Sequence, residues 1–401
     1  MTKILYKIKK IDFYLLAFFV GTSPINLFIG ISPNNIRILK ILFLTIIIFY
    51  FHFVKNLTIR TEIFYIMIWG LICFIPSLFK TDMLTWITEV TYLILPFLTL
   101  STFYNFFEKK NNHTILKFLK LSTLILTPYS LLVLLNYFTG IPNWTFLTDL
   151  FYNERTTWSP SISFFSIIAF YFFIHTKIKS KKIFYLLCFL IIFMSQLFSG
   201  GRAGIIITLI VILYYIFYRV KLGYKIIFIS TFLFLITYYN SAIKDMIRLK
   251  DNFRLSKKEL AIFSSGRTEQ YFSALEKMKK DYVLILGSGI DVGSLVKYYH
   301  PYYPDPFYKH IHNFWFAIVL RTGLFAVIFY IITTIFFINR LYKLFKINKK
   351  YDIFILSIIA GLTSTLFETD LIFGKTFTTL GWWVLLAAGF AIYNKEKKRF
   401  S

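Results

Sequence analysis

The sequence predicts an all-α polytopic membrane protein of about twelve transmembrane helices with one large outer loop. Three observations carry this. Hydrophobic residues fill 57% of the 401 positions and charged residues only 16%, against about 25% charged in an ordinary soluble domain. Apolar runs near the ~20 residues that cross a bilayer recur along the chain. Lysines and arginines alternate with those runs so that one face collects most of them.

The runs are, in order, 12–30, 36–54, 62–79, 84–104, 114–138, 159–176, 183–198, 203–219, 225–239, 313–338, 352–368 and 377–393. With the N-terminus inside, the inner segments hold 26 basic residues and the short outer connections six: Arg37, Lys40, Lys80, Arg155, Arg202 and Lys375. An extra or missing span would invert every later loop, so this asymmetry tests the count independently of hydropathy. Both termini are therefore expected on the cytoplasmic side. A net charge of +26 would point to nucleic acid in a soluble protein. Here the basic residues fall between apolar runs and orient the chain, so that reading is discarded. Residues 1–10 lead into the first run without a small-residue cleavage site, which reads as an uncleaved first span. Cys73 and Cys188 lie inside apolar runs, so no disulfide framework is implied.

The chain divides into nine helices over 1–239, a loop over 240–312, and three helices with a tail over 313–401. The loop is far longer than the other connections, and long loops in compact proteins are usually functional. It is too short for an independent domain with its own core. Within it, Arg267 to Asp281 reads as an amphipathic helix with Tyr271, Leu275 and Met278 along one stripe, a lid resting on the membrane surface. A second outer loop, about 139–158, holds Trp144, Phe151, Tyr152, Arg155 and Trp158. There is no internal repeat.

Phosphate-binding, dinucleotide and nucleophile-elbow signatures are absent. His310 and His312 are not spaced with other ligands as a zinc site would be. Three polar clusters remain, all on the outer side. Ser199-Gly200-Gly201-Arg202-Ala203-Gly204 stands where a helix begins. Free backbone N–H groups, the positive end of a helix dipole and a guanidinium together suit an anion, above all phosphate. Glycines let a phosphate approach the backbone closely. The alternative is a tight turn with a snorkelling arginine. Ser264-Ser265-Gly266-Arg267-Thr268-Glu269 repeats the pattern, a small-residue turn opening a helix with arginine, and a solvated arginine is its plain alternative.

The third cluster is His310-Ile311-His312-Asn313-Phe314-Trp315, with Arg321 and Gly323 further along the same run. A helix N-terminus disfavours imidazolium and so keeps His312 neutral, as a general base requires. A structural interface histidine is the other reading. Arg321 falls on the opposite helical face, and an ion pair with Glu89 or Glu368 is expected for it.

In this order and topology the clusters resemble the O-antigen polymerase (Wzy) and O-antigen ligase (WaaL) superfamily. Phe198-Ser-Gly-Gly-Arg-Ala-Gly204 is similar to that family's first motif and Ser265-Gly-Arg-Thr-Glu269 to its loop motif. His312-Asn313 followed by Gly323-Leu-Phe-Ala326 is similar to the last, with Ala326 departing from the residues ligases often have there. The resemblance implies a GT-C-like fold in the bacterial inner membrane and a large periplasmic loop. It also implies a metal-independent transfer without cofactor, in which arginines neutralise a pyrophosphate leaving group. The implied substrates are undecaprenyl-pyrophosphate-linked oligosaccharides as donor and acceptor, with a chain-length regulator as a further partner. On that resemblance His312, Arg202 and Arg267 are catalytic. Gly200, Gly201, Gly266, Asn313, Arg155 and Tyr271 contact substrate, and Asn313 holds the histidine or caps its helix. Tyr298, Tyr299, Tyr302, Tyr303 and Phe307 either stack on sugars or form a proline-rigid interfacial loop.

Polymerase is the leading expectation and ligase the second. A lipid-linked-glycan flippase or other transporter is the third. Transporters commonly show repeats and broken helices with polar groups at the midplane, and the sequence shows neither.

Overall fold

The computed structural model describes residues 2–23, 46, 60–75, 97–139, 155–198, 202–219, 230, 267–279, 283–289, 295–299, 306–311, 313–366 and 376–400. The helices are α1 (Thr2–Thr22), α2 (Thr61–Phe74), α3 (Asn112–Thr139), α4 (Arg155–His175), α5 (Lys179–Phe198) and α6 (Arg202–Arg219). Another helical stretch covers 97–108. In the long loop come α7 (Arg267–Met278), α8 (Val283–Leu286) and the strands β1 (Leu295–Tyr299) and β2 (Pro306–His310). Three helices close the chain: α9 (Phe314–Ile347), α10 (Asp352–Thr365) and α11 (Thr376–Phe400).

The helices form where apolar side chains run without polar interruption, and Asn112–Leu135, Lys179–Phe198 and Phe314–Ile347 are long and apolar enough to cross a membrane. Shorter apolar helices lie at Asp12–Thr22, Thr61–Cys73, Ser161–His175 and Gly204–Tyr218. The main core is aromatic. Phe103, Phe106, Phe107 and Phe118 interlock between 97–108 and α3, Phe170 and Phe189 join α4 to α5, and Phe337 meets Phe390 across α9 and α11. Cys73 and Cys188 are free and buried.

Side-chain ties give the bundle two defined ends. The α9–α10 turn lies at one end, where Tyr171 Oη donates to the Lys350 carbonyl at 2.7 Å and His175 Nε2 stands 3.3 Å from Asp352 Oδ1. Both residues belong to the last turns of α4, so α4 starts at the opposite end. There Asn313 Nδ2, ahead of α9, donates to the Leu366 carbonyl behind α10 at 3.2 Å. The first end is the one that the distribution of basic residues leads one to expect inside, and it is called the inner end below.

Three details refine these expectations. The fold is all-α as expected, with one small addition: Leu295–Tyr299 pairs antiparallel with Pro306–His310, Tyr298 opposite Phe307. The tyrosine-rich stretch, expected either to stack on sugars or to form a proline-rigid loop, supplies this hairpin, with Pro306 at the first position of β2, where proline is tolerated.

The second detail concerns α9, expected as one unbroken span over 313–338. Gly323 sits at φ 78°, ψ 176°, which divides the helix in two. Only glycine adopts that conformation without strain. The break is filled by the turn after α8. Ser288 N donates to the Leu320 carbonyl at 2.7 Å and Gly289 N to the Arg321 carbonyl at 2.9 Å. Those are the two carbonyls that an unbroken helix would offer to residues 324 and 325. A Cβ on Gly323 would lie 2.0 Å from the Ile285 carbonyl oxygen, so the two backbones touch.

Third, Leu275 does not belong to the packed stripe of α7; it is exposed, as is Phe272. Gln270 and Ala274 are buried instead, and Tyr271 stacks on Phe316 of α9 with ring centroids 5.1 Å apart. Ala274, Val296, Ile311, Ala317 and Leu320 form a second small apolar cluster. Among the described residues of the loop, the apolar cluster is completed by one face of α9.

Candidate functional site

Gly204, the last residue of the first motif, is accounted for by helix packing. An added Cβ at Gly204 would fall 2.2 Å from the Ser159 carbonyl oxygen, so α6 lies against the backbone of α4 there. Gln196, fully buried, ties the corner: its Nε2 donates to the Ser159 carbonyl at 3.1 Å while its Oε1 accepts from Thr208 Oγ1 at 3.2 Å. Sequence reading missed Gln196, whose signal was an amide inside an apolar run.

This contact has a consequence for charge. Arg155, the first residue of α4, precedes Ser159 by one turn, and Arg202, the first residue of α6, stands two residues before Gly204. Two helix N-termini, each opening on an arginine, therefore lie side by side. Each dipole presents about half a positive charge and unsatisfied N–H groups at that end. Arg155 and Arg202, singled out from separate loops, share one locality.

The third motif opens α9. Asn313 is its N-cap, with Oδ1 accepting from Trp315 N at 2.9 Å and Phe316 N at 3.2 Å. Of the roles open to Asn313, capping is the one its geometry has. Its link to Leu366 ties α9 to α10, and α10 packs on α4 and α6, so the first and third motifs border the same helix. Gly323, eleven residues beyond His312 in the motif, is the helix break itself. Arg321 is 7% exposed, beside that break.

The second motif reaches α9 through α7. Arg267 is the first residue of α7, and Tyr271, one turn on, makes the stack with Phe316. Lys277, near the other end of α7, has its ammonium pushed below its ordinary value by burial. His312, Gly200, Gly201 and Gly266 lie outside the described residues, as do Glu89 and Glu368, the partners expected for Arg321.

These features define a class: a helical membrane protein whose polar helix starts gather at the end opposite its basic residues. Residues 183–331 match the family model described as O-antigen ligase. That stretch, which runs from α5 past the break in α9 and holds all three motifs, is of the O-antigen polymerase and ligase superfamily. Members of the family are membrane enzymes of glycan transfer, and the family implies lipid-linked polysaccharide substrates. A comparison with curated proteins finds no match.

Proposed function

We propose that the protein is a glycosyltransferase of the bacterial inner membrane that polymerises undecaprenyl-pyrophosphate-linked O-antigen, or a related surface polysaccharide, on the periplasmic side. The observation that carries this reading is the family match over 183–331, which spans Arg202, Arg267 and His312 in one stretch. The paired starts of α4 and α6 support an anion site: two dipole ends with Arg155 and Arg202 suit a pyrophosphate that leaves with its charge. On this reading Arg202 and Arg267 stabilise the leaving pyrophosphate in place of a divalent cation, and His312 takes the proton of the attacking hydroxyl. Gly200, Gly201 and Gly266 allow close approach of the phosphates, and Tyr271 contacts substrate.

A ligase that transfers the finished chain to lipid A–core is the second reading, favoured by the family model's own description. The broken α9 revives a transporter feature that the sequence did not show. Its position argues against that use: Gly323 stands about 26 Å along the helix from Arg340, near one rim of a hydrocarbon core ~30 Å thick rather than at its midplane.

The glycan profile of a strain lacking the gene tests the proposal. A polymerase leaves lipid A–core bearing a single repeat unit and no ladder, restored by the wild-type protein and not by Arg267→Ala. Bare core with polymer retained on the lipid carrier overturns the polymerase reading and establishes the ligase.

A further inference from the structure

The short helix α8 takes no part in the proposed chemistry, yet it exposes Leu284, Ile285 and Leu286 to 45%, 46% and 48%. Three consecutive bare aliphatic side chains in water forfeit burial energy at about 25 cal/mol per Å². Their position says what covers them. α8 is held by backbone to the break in α9: Gly287 N donates to the Val283 carbonyl at 2.9 Å, and Ser288 and Gly289 donate to the Leu320 and Arg321 carbonyls. Gly287 and Gly289, at φ 77° and 97°, make that return turn, and a Cβ on Gly287 would meet the Arg321 carbonyl at 2.5 Å.

The depth of the break follows from α9 itself. Arg340, 4.0 Å from Glu62, marks the inner rim, and Gly323 lies about 26 Å away along the helix axis. A hydrocarbon core ~30 Å thick therefore extends to the level of the break. From there inward α9 exposes Leu324, Phe325, Ile328, Ile331, Ile332 and Ile335, the stripe that a spanning helix turns to lipid. α8 meets α9 at Gly323, directly beside Leu324 and Phe325, where this exposed stripe begins. Non-helical backbone at such a depth must have its polar groups satisfied by protein, and the three hydrogen bonds of the 287–289 turn do this.

We propose that α8 is an interfacial membrane element whose Leu284, Ile285 and Leu286 side chains sit among the acyl chains of the outer leaflet. The occupant is bilayer lipid, by continuity with the lipid-facing stripe of α9. The large loop is thus pinned to the bilayer at a fixed height, and α7 and the hairpin, which share an apolar cluster with the first half of α9, are pinned with it. This assignment rests on the membrane topology and not on the reaction proposed above.

The test uses the full-length protein in nanodiscs of phosphatidylethanolamine and phosphatidylglycerol. Nitroxides are attached at Leu284→Cys, Ile285→Cys and Leu286→Cys, with Lys297→Cys, exposed on the hairpin, as the aqueous reference. Oxygen should relax the first three labels several-fold more than a water-soluble nickel chelate does, with the order reversed at 297. Nickel access at any two of the three equal to that at 297 overturns the proposal. Ile285→Trp keeps an apolar side chain at the same place. Its added fluorescence over wild type should be quenched by lipids brominated near the headgroup end of the acyl chain, and an unquenched signal overturns the proposal as well.

Discussion

At the inner end of the bundle Glu62, Glu108, Asp352 and Glu396 each stand beside a basic group, whereas the outer end gathers the starts of α4, α6 and α9. Arg60 meets Glu108 at 2.6 Å, Arg340 meets Glu62 at 4.0 Å, His175 meets Asp352 at 3.3 Å and Arg399 meets Glu396 at 3.4 Å. Amides and hydroxyls fill the gaps. Asn112 Nδ2 donates to Glu396 Oε1 and Tyr351 Oη, and Asn394 Nδ2 donates to Tyr104 Oη at 2.9 Å. Arg399–Glu396 lies within α11, but the other three pairs join segments far apart in sequence and so tie the bundle together at this end. At the outer end the adjoining starts of α4 and α6 each open on an arginine, the place proposed above for an anion. Matched charges thus mark one end, and the residues proposed for the chemistry stand at the other.

The largest expected effect breaks this division if it fails. His312→Ala should lower glycan transfer by at least about 100-fold while lipid-linked donor still binds, as loss of a general base does. Asp352→Asn, at the inner end, should instead lower unfolding stability by about 1–3 kcal/mol and leave transfer per folded molecule near wild type. Both are read by transfer assays on purified protein, beside thermal unfolding in detergent. Equal activity losses in the two variants would erase the contrast between the ends.

A smaller effect sharpens the picture of the outer end. Gly323→Ala forces a side chain into a left-handed backbone, costing about 1–3 kcal/mol from conformation alone. The contact at 2.0 Å with the Ile285 carbonyl adds to that. The variant should melt earlier than wild type in the same detergent. An unchanged melting curve would mean that α9 runs straight through this position.

The helices were legible because a membrane imposes a length and a polarity on every crossing, and α3, α5 and α9 overlie segments chosen by hydropathy. The neighbourhood of Arg155 and Arg202 was only half legible. Each arginine was marked by its outer position, but their adjacency depends on Gly204 meeting Ser159, a contact between residues in different segments. The break at Gly323 carried no local signal, since glycine is common within membrane helices; its cause lies in the 287–289 turn. The hairpin was hidden by the prolines around it. The inner network was invisible for the same reason as the outer neighbourhood: Asn112 and Glu396 find each other only in the folded bundle.

The last expected effect is a pH dependence at the inner end. Lys395 follows the last predicted span, which ends at 393, and its Nζ donates to the Phe107 carbonyl at 2.6 Å and to the Lys110 carbonyl, closing the end of the 97–108 helix. Burial pushes its pKa down to about 8, with Arg399 lowering it further and Glu108 opposing. An unfolded lysine titrates near 10.4. Between those values the unfolded chain holds the proton more tightly than the folded one, so this group makes stability rise with pH across that window and contributes no slope below it. The neutral amine still donates to both carbonyls, so deprotonation removes the cost of burying charge and keeps the cap. Lys395→Met should therefore be less stable than wild type throughout, and the gap should widen from about pH 8 to 10.4. Melting curves of the pair across that range measure it. A gap that narrows with rising pH would mean that the ammonium, not the amine, is what the inner end requires there.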